Sequence, residues 1–263
     1  YFLMRQKKLE FYRMIKQLIA SILFMLLCTC NAQFFYPDSK VYQTPENFGQ
    51  KYETVNFLSK DGTNLNGWFV PSTAKETLGT VIHFHGNAQN MTAHYGFVSW
   101  LPAEGYNLFV FDYRGYGKSK GNPEQKGVFE DSTAAIEYVK SRKDINQDKI
   151  IILGQSLGGA NAISAVTRNS FEGIRAVIIE SSFFSYRSIA KDKLDQISSS
   201  TGPVNSSIVS SIISDEYSPG PVIDKISPIP LLIIHGTADR VVPFAHSKML
   251  YDKAKEPDRK SVV

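Results

Sequence analysis

Apolar strand-like runs alternating with helix-spaced segments from residue 80 onward predict an α/β fold, a mostly parallel central sheet covered on both faces by helices. Two further observations agree. Each apolar run ends in a polar or glycine-rich cluster, and sheets of this kind place their sites at the carboxyl ends of the strands. With 263 residues, 43% hydrophobic and 21% charged, the chain can also bury the core of one large domain.

The first stretch has a targeting pattern. Arg5, Lys7, Lys8, Arg13 and Lys16 precede an apolar run over 18–27, and small and polar residues follow to position 33. The run is too short to span a bilayer comfortably, so it predicts a secretory signal peptide in place of a permanent transmembrane helix. Two processing outcomes fit. Cleavage after Cys30-Asn31-Ala32 would release a protein starting near Gln33. Alternatively Leu27-Cys28-Thr29-Cys30 is similar to a bacterial lipobox, with Thr29 an imperfect match, and would leave Cys30 lipidated. Phe34-Phe35-Tyr36-Pro37 then reads as a short tether. A plainer reading makes Cys28 and Cys30 apolar residues of the leader. The expected division is a leader over 1–33 and a folded domain over 34–263, placed outside the cell or in its envelope on the periplasmic side. Both cysteines fall in the leader, so no disulfide framework is available to the body.

In the body, 52–58 and 65–70 read as paired strands turning at Asp61-Gly62. A strand over 80–85 runs into Gly86-Asn87-Ala88-Gln89-Asn90 and then a helix to about Glu104. A strand over 107–111 is closed by Asp112 and the glycine-rich loop 113–119, and 128–142 has helical spacing. Residues 150–153 form a strand, 157–168 a helix of small and apolar residues, and 176–179 and 230–234 two more buried strands. Between 181 and 227 the rhythm breaks into a serine-rich stretch too long for a simple loop. It reads as a helical excursion, either a partial lid that selects substrate or a surface insertion.

Between the strand at 150–153 and its helix stands Gly154-Gln155-Ser156-Leu157-Gly158, a G-x-S-x-G elbow in the strand-turn-helix context that the motif requires. A serine at the apex of so tight a turn is strained, and Gly154 and Gly158 leave room where a Cβ would collide. The Oγ of Ser156 then stands clear at a helix N-terminus, which favours developing negative charge. Asp239, delivered by the strand at 230–234, is the candidate acid, and Glu180 a weaker one. Backbone N–H groups of Leu157, directly after the serine, and of Asn87 fit an oxyanion hole. His85 reads as a buttress of that turn in preference to a base, because it precedes the serine.

Taken with Gly67-Trp68-Phe69, His85-Gly86-Asn87-Ala88, residues 111–117, Glu180-Ser181-Ser182-Phe183 and His235-Gly236-Thr237-Ala238-Asp239, the chain resembles the α/β-hydrolase superfamily. Within it, the chain is similar to membrane-associated serine hydrolases that include acyl-protein depalmitoylases and bacterial lipoprotein-like homologues. The resemblance implies hydrolysis of esters or thioesters through an acyl-enzyme on Ser156, with no metal or organic cofactor. It also implies a base in a Gly-His pair after one further strand. That strand would begin at Lys260, and His246 is the one histidine after Asp239, in a helix close to the acid. The expectation is therefore a C-terminally truncated chain, lacking the last strand and helix and impaired for want of its base. Tyr1 in place of Met points to a fragment as well.

Two other functions stay open at this stage. A serine aminopeptidase would need a pocket carboxylate to hold the substrate amine, for which Glu180 and Asp215 are candidates. A non-catalytic binding or scaffold protein could keep the elbow as architecture. The formal charge of +4 is scattered among acids, so small-molecule or acylated substrates are expected and nucleic acid is not.

Overall fold

A computed structural model describes residues 34–201 and 206–256. The leader, with Cys28 and Cys30, and the strand expected from Lys260 lie outside the described residues. Among the described residues nine strands follow in chain order: β1 (Tyr36–Pro37), β2 (Glu53–Leu58), β3 (Asn64–Val70), β4 (Gly79–Phe84), β5 (Ala88–Gln89), β6 (Tyr106–Phe111), β7 (Ile150–Gln155), β8 (Ile174–Glu180) and β9 (Leu231–Ile234). Seven of them form one sheet in the order β2-β3-β6-β4-β7-β8-β9. The hairpin β2-β3 and the pair β3-β6 are antiparallel, and every later pairing is parallel.

Alternation along the central strands splits the core between the two faces. Val81 of β4 and Leu108 and Val110 of β6 point to one side, where they meet Met91, Tyr95, Val98 and Leu101. Ile82, Phe84, Phe109 and Phe111 point to the other. There they meet α2 (Gln125–Ser141) and α3 (Leu157–Arg168). The α2 helix starts three residues before the position expected from its apolar spacing, because the Glu124 side chain accepts the Gly127 N–H at 2.9 Å and caps it.

The helix expected from residue 91 to 104 is a correction. It is only a four-residue α1 (Met91–His94), a 3-10 turn over Tyr95–Phe97 and further turns. Gly96 passes so close to Gln43 that a Cβ there would lie 2.7 Å from its Oε1, and Tyr95 is fully buried with its hydroxyl bonded to Gln50. Those tertiary contacts and Pro102 override helical propensity.

After β8 come α4 (Tyr186–Thr201), α5 (Ser206–Ser211) and a 3-10 turn over Ile223–Lys225, and after β9 comes α6 (Ala245–Lys253). No helix of the described residues is long and apolar enough to cross a membrane.

Candidate active site

Ser156 sits between β7 and α3 with φ 52° and ψ −117°, a left-handed conformation that costs a non-glycine residue on the order of 1–3 kcal/mol. The surroundings hold it there. Its N–H donates to the Glu180 carbonyl at 2.8 Å, and its carbonyl accepts from Gly159 N–H at 3.0 Å and Ser182 Oγ at 3.0 Å. Space explains the glycines. A Cβ on Gly158 would lie 2.0 Å from the Phe84 carbonyl oxygen, and one on Gly154 would lie 2.6 Å from the Gly159 Cα. Gly159, not singled out from sequence, is equally confined by Ser182, whose Cβ would lie 2.8 Å away.

The turn after β4 meets the elbow directly. The position a Gly86 Cβ would take is 3.8 Å from Ser156 Cβ, and Asn87 lines the same cavity as Ser156 and Leu157. Leu157 opens α3, where a backbone N–H has no acceptor within the helix. Both residues proposed as oxyanion donors thus border the serine. The loop after β6 braces the turn: Tyr113 donates to the His85 carbonyl at 3.2 Å, and Tyr116 to the Asn87 carbonyl at 2.8 Å.

Asp239 follows β9. Its Oδ1 accepts the N–H groups of Val241 at 2.7 Å and Val242 at 3.0 Å. Burial works against its ionisation, but those two N–H groups, the Ser181 hydroxyl and nearby His235 outweigh it and hold the carboxyl below the usual aspartate range. Val241 and Val242 also line the cavity, so the carboxylate stands beside it. Ser181 has φ +49°, a second strained residue, and its N–H donates to the Ile234 carbonyl at 2.9 Å.

All five histidines of the sequence are described, and none bonds Ser156. His83 is buried within β4, and burial first, then the neighbouring His85 and His94, pushes it down to about 3. His85 is fully buried, with Nδ1 2.7 Å from the Gly86 carbonyl and Nε2 3.4 Å from Asp112. The ring nitrogens of His94 lie 2.9 Å from Gln155 Oε1 and 3.0 Å from the Ala88 carbonyl. His235 bonds the Val242 carbonyl at 2.8 Å and Ser247 Oγ. The Nδ1 of His246 accepts the Phe184 N–H at 3.1 Å and its Nε2 lies 2.9 Å from Asp192, so it links α6 to α4 and not acid to nucleophile. Among the described residues no group of three or more His, Cys, Asp or Glu could hold a metal ion.

The cavity over Ser156 is about 270 Å³ and mostly apolar, with Phe183, Ile189, Leu194, Ile213 and Val242 in its walls. The excursion supplies four of these. Lys193 is the charged residue of the lining. Glu180 and Asp215 are absent from it: the Glu180 side chain is exposed, and Asp215 accepts the Arg187 N–H at 2.9 Å and Ser218 Oγ at 2.7 Å. Phe34 and Tyr36 do line the cavity, and Phe35 is buried in the core, so the segment read as a tether is part of the folded body. Three successive aromatic residues were the available sign, since such a run is poorly suited to a solvated tether.

Fold and site together define an α/β hydrolase. An esterase from Pyrococcus furiosus superposes with a TM-score of 0.71 at 22% identity, covering 88% of each chain. The family described as serine aminopeptidase, S33, matches residues 75–213, and the chain belongs to that family. The uncharacterized protein YfhR of Escherichia coli is 47% identical over 229 residues, 86% of this chain and 75% of that protein. The α/β hydrolase domain-containing protein WAV2 of Arabidopsis thaliana is 33% identical over 220 residues, 82% of this chain and 71% of that protein.

Proposed function

We propose that this hydrolase cleaves carboxylic esters or thioesters through an acyl-enzyme on Ser156. The observation that carries this is the strained Ser156 at the end of an apolar cavity, bordered by Asn87 and Leu157. Ser156 Oγ attacks the acyl carbonyl, the N–H groups of Asn87 and Leu157 receive the charge that develops on its oxygen, and water later releases the acid. Asp239 orients the imidazole that takes the serine proton. Four of the five histidines hold other partners, and none of the five bonds Ser156. With the leader reading, the enzyme works outside the cell or in its envelope, tethered if Cys30 is lipidated.

The family description favours an aminopeptidase as second reading. That activity needs a carboxylate for the substrate ammonium, and the cavity lining carries Lys193 in its place. Comparing p-nitrophenyl butyrate with alanine and leucine p-nitroanilides decides between them. We expect a higher kcat/KM on the ester, and faster release from either anilide would overturn the ester reading.

A further inference from the structure

We infer that segment 34–38 is a positioning strap of the ester site, its Tyr36 N–H fixing the Asn87 peptide and its Phe34 and Tyr36 side chains setting the acyl length admitted. The inference rests on the reading of Ser156 as an esterase nucleophile.

The backbone carries the first half. β1 pairs in parallel with β5: the Tyr36 N–H donates to the Asn87 carbonyl at 2.9 Å, and the Asp38 N–H to the Gln89 carbonyl at 3.1 Å. Asn87 therefore receives two donors on one carbonyl, from Tyr36 and from the Tyr116 hydroxyl. A carbonyl held from two directions fixes the 87–88 peptide plane, and so limits the rotation at Asn87 by which its N–H, in the preceding peptide, could swing away. Gln89, two residues on, is held at φ +66°, a conformation that needs support from its surroundings.

The strap is tied down at both ends. Asp38 accepts Asn90 Nδ2 at 2.6 Å and the Tyr42 hydroxyl at 2.6 Å, and its carbonyl accepts the Gly117 N–H at 2.9 Å. At the other end Phe35 is 4% exposed in the core, and the Phe34 ring meets Tyr186 of α4 edge-on at 5.1 Å.

Side-chain alternation carries the second half. Phe35 enters the core while Phe34 and Tyr36 border the cavity, and Tyr36 stays 58% exposed at its rim. A strap serving stability alone has no need of a large exposed ring there. Ile189, Leu194 and Ile213 line the same cavity, so its apolar walls suit an acyl chain.

The test measures second-order phosphonylation of Ser156 by ethyl and octyl fluorophosphonates at a fixed concentration of imidazole as added base, with melting temperature as the folding control. Tyr36→Ala and Tyr36→Pro both lose the ring, but only proline loses the N–H. We expect the ethyl probe to react on the order of ten-fold more slowly with Tyr36→Pro than with Tyr36→Ala, short of the roughly 10²–10³ for a missing oxyanion donor. Phe34→Ala should lower the octyl-to-ethyl rate ratio several-fold. Equal ethyl rates in the two folded Tyr36 variants would overturn the backbone role, and an unchanged ratio in Phe34→Ala would overturn the side-chain role. If Tyr36→Pro does not fold, an amide-to-ester replacement at residue 36, which removes the same N–H, takes its place, and an ethyl rate equal to wild type would overturn the backbone role. A wild-type chain that neither probe labels would instead remove the esterase reading, whereas labelling indifferent to every strap variant would remove the strap alone.

Discussion

Hydrolysis of p-nitrophenyl acetate by the 263-residue chain is expected to run only about 10³–10⁴ times faster than in water, on the order of 10⁶ below an intact triad. Four of the five histidines are committed elsewhere, and His83 is buried within β4. His85 sits beneath the oxyanion turn against Asp112, His94 spans Gln155 and Ala88, His235 serves the loop that holds Asp239, and His246 joins Phe184 to Asp192. What remains is the elbow serine with Asn87 and Leu157, the proposed oxyanion donors, beside it, which would account for the residual rate. Added imidazole should raise the rate beyond its own background and beyond that of Ser156→Ala, by acting as base to Ser156. Turnover at the level of an intact triad without imidazole would show that one of these histidines reaches Ser156, and would remove the claim.

Asp131→Ala is expected to destabilise the fold by about 3–5 kcal/mol in urea denaturation, the range for breaking a buried ion pair from one side. Arg114 is nearly buried and donates from Nε and Nη2 to Asp131 at 2.9–3.1 Å, while its backbone N–H reaches Asp131 Oδ2 at 2.8 Å. Gly127 makes room for it, since a Cβ there would lie 2.4 Å from the guanidinium carbon. Burial keeps the Asp131 carboxyl above the ordinary aspartate range, against the pull of the Arg114 side chain and N–H. Removing the carboxylate leaves Arg114 buried with the partly exposed Asp61 at 2.8 Å, the Ser59 hydroxyl at 3.2 Å and Glu130 at 3.7 Å. The pair anchors the loop carrying Tyr113 and Tyr116, so the oxyanion turn should loosen as well. Asp61→Ala should cost far less, because water screens a half-exposed pair. A loss below about 1 kcal/mol for Asp131→Ala would contradict the assignment.

The parts of this enzyme legible in its sequence are those that short-range rules govern. The elbow is spelled by glycines because Gly154 and Gly158 face backbone at 2.6 and 2.0 Å, and that collision is local to one strand-turn-helix unit. The hairpin β2-β3 was equally readable, since its Gly62 stands at φ +85° and Asp61 caps the turn by accepting the Thr63 N–H. The strands forming the parallel part of the sheet announced themselves as apolar runs because both faces are covered. What stayed hidden depends on contacts across the chain. Gly96 and Tyr95 end α1 through residues about fifty positions away, and segment 34–38 gains its meaning only where β5 arrives beside it. The same holds for the cavity wall, because no periodicity in 181–227 tells which of its apolar residues will face Ser156.

The central claim is that Ser156 is the nucleophile, and covalent labelling tests it most directly. Incubated with a fluorophosphonate probe and imidazole as an added base, the chain should gain one adduct, mapped by mass spectrometry to Ser156 and absent from Ser156→Ala. An unlabelled chain, or an adduct that persists in folded Ser156→Ala, would contradict the account.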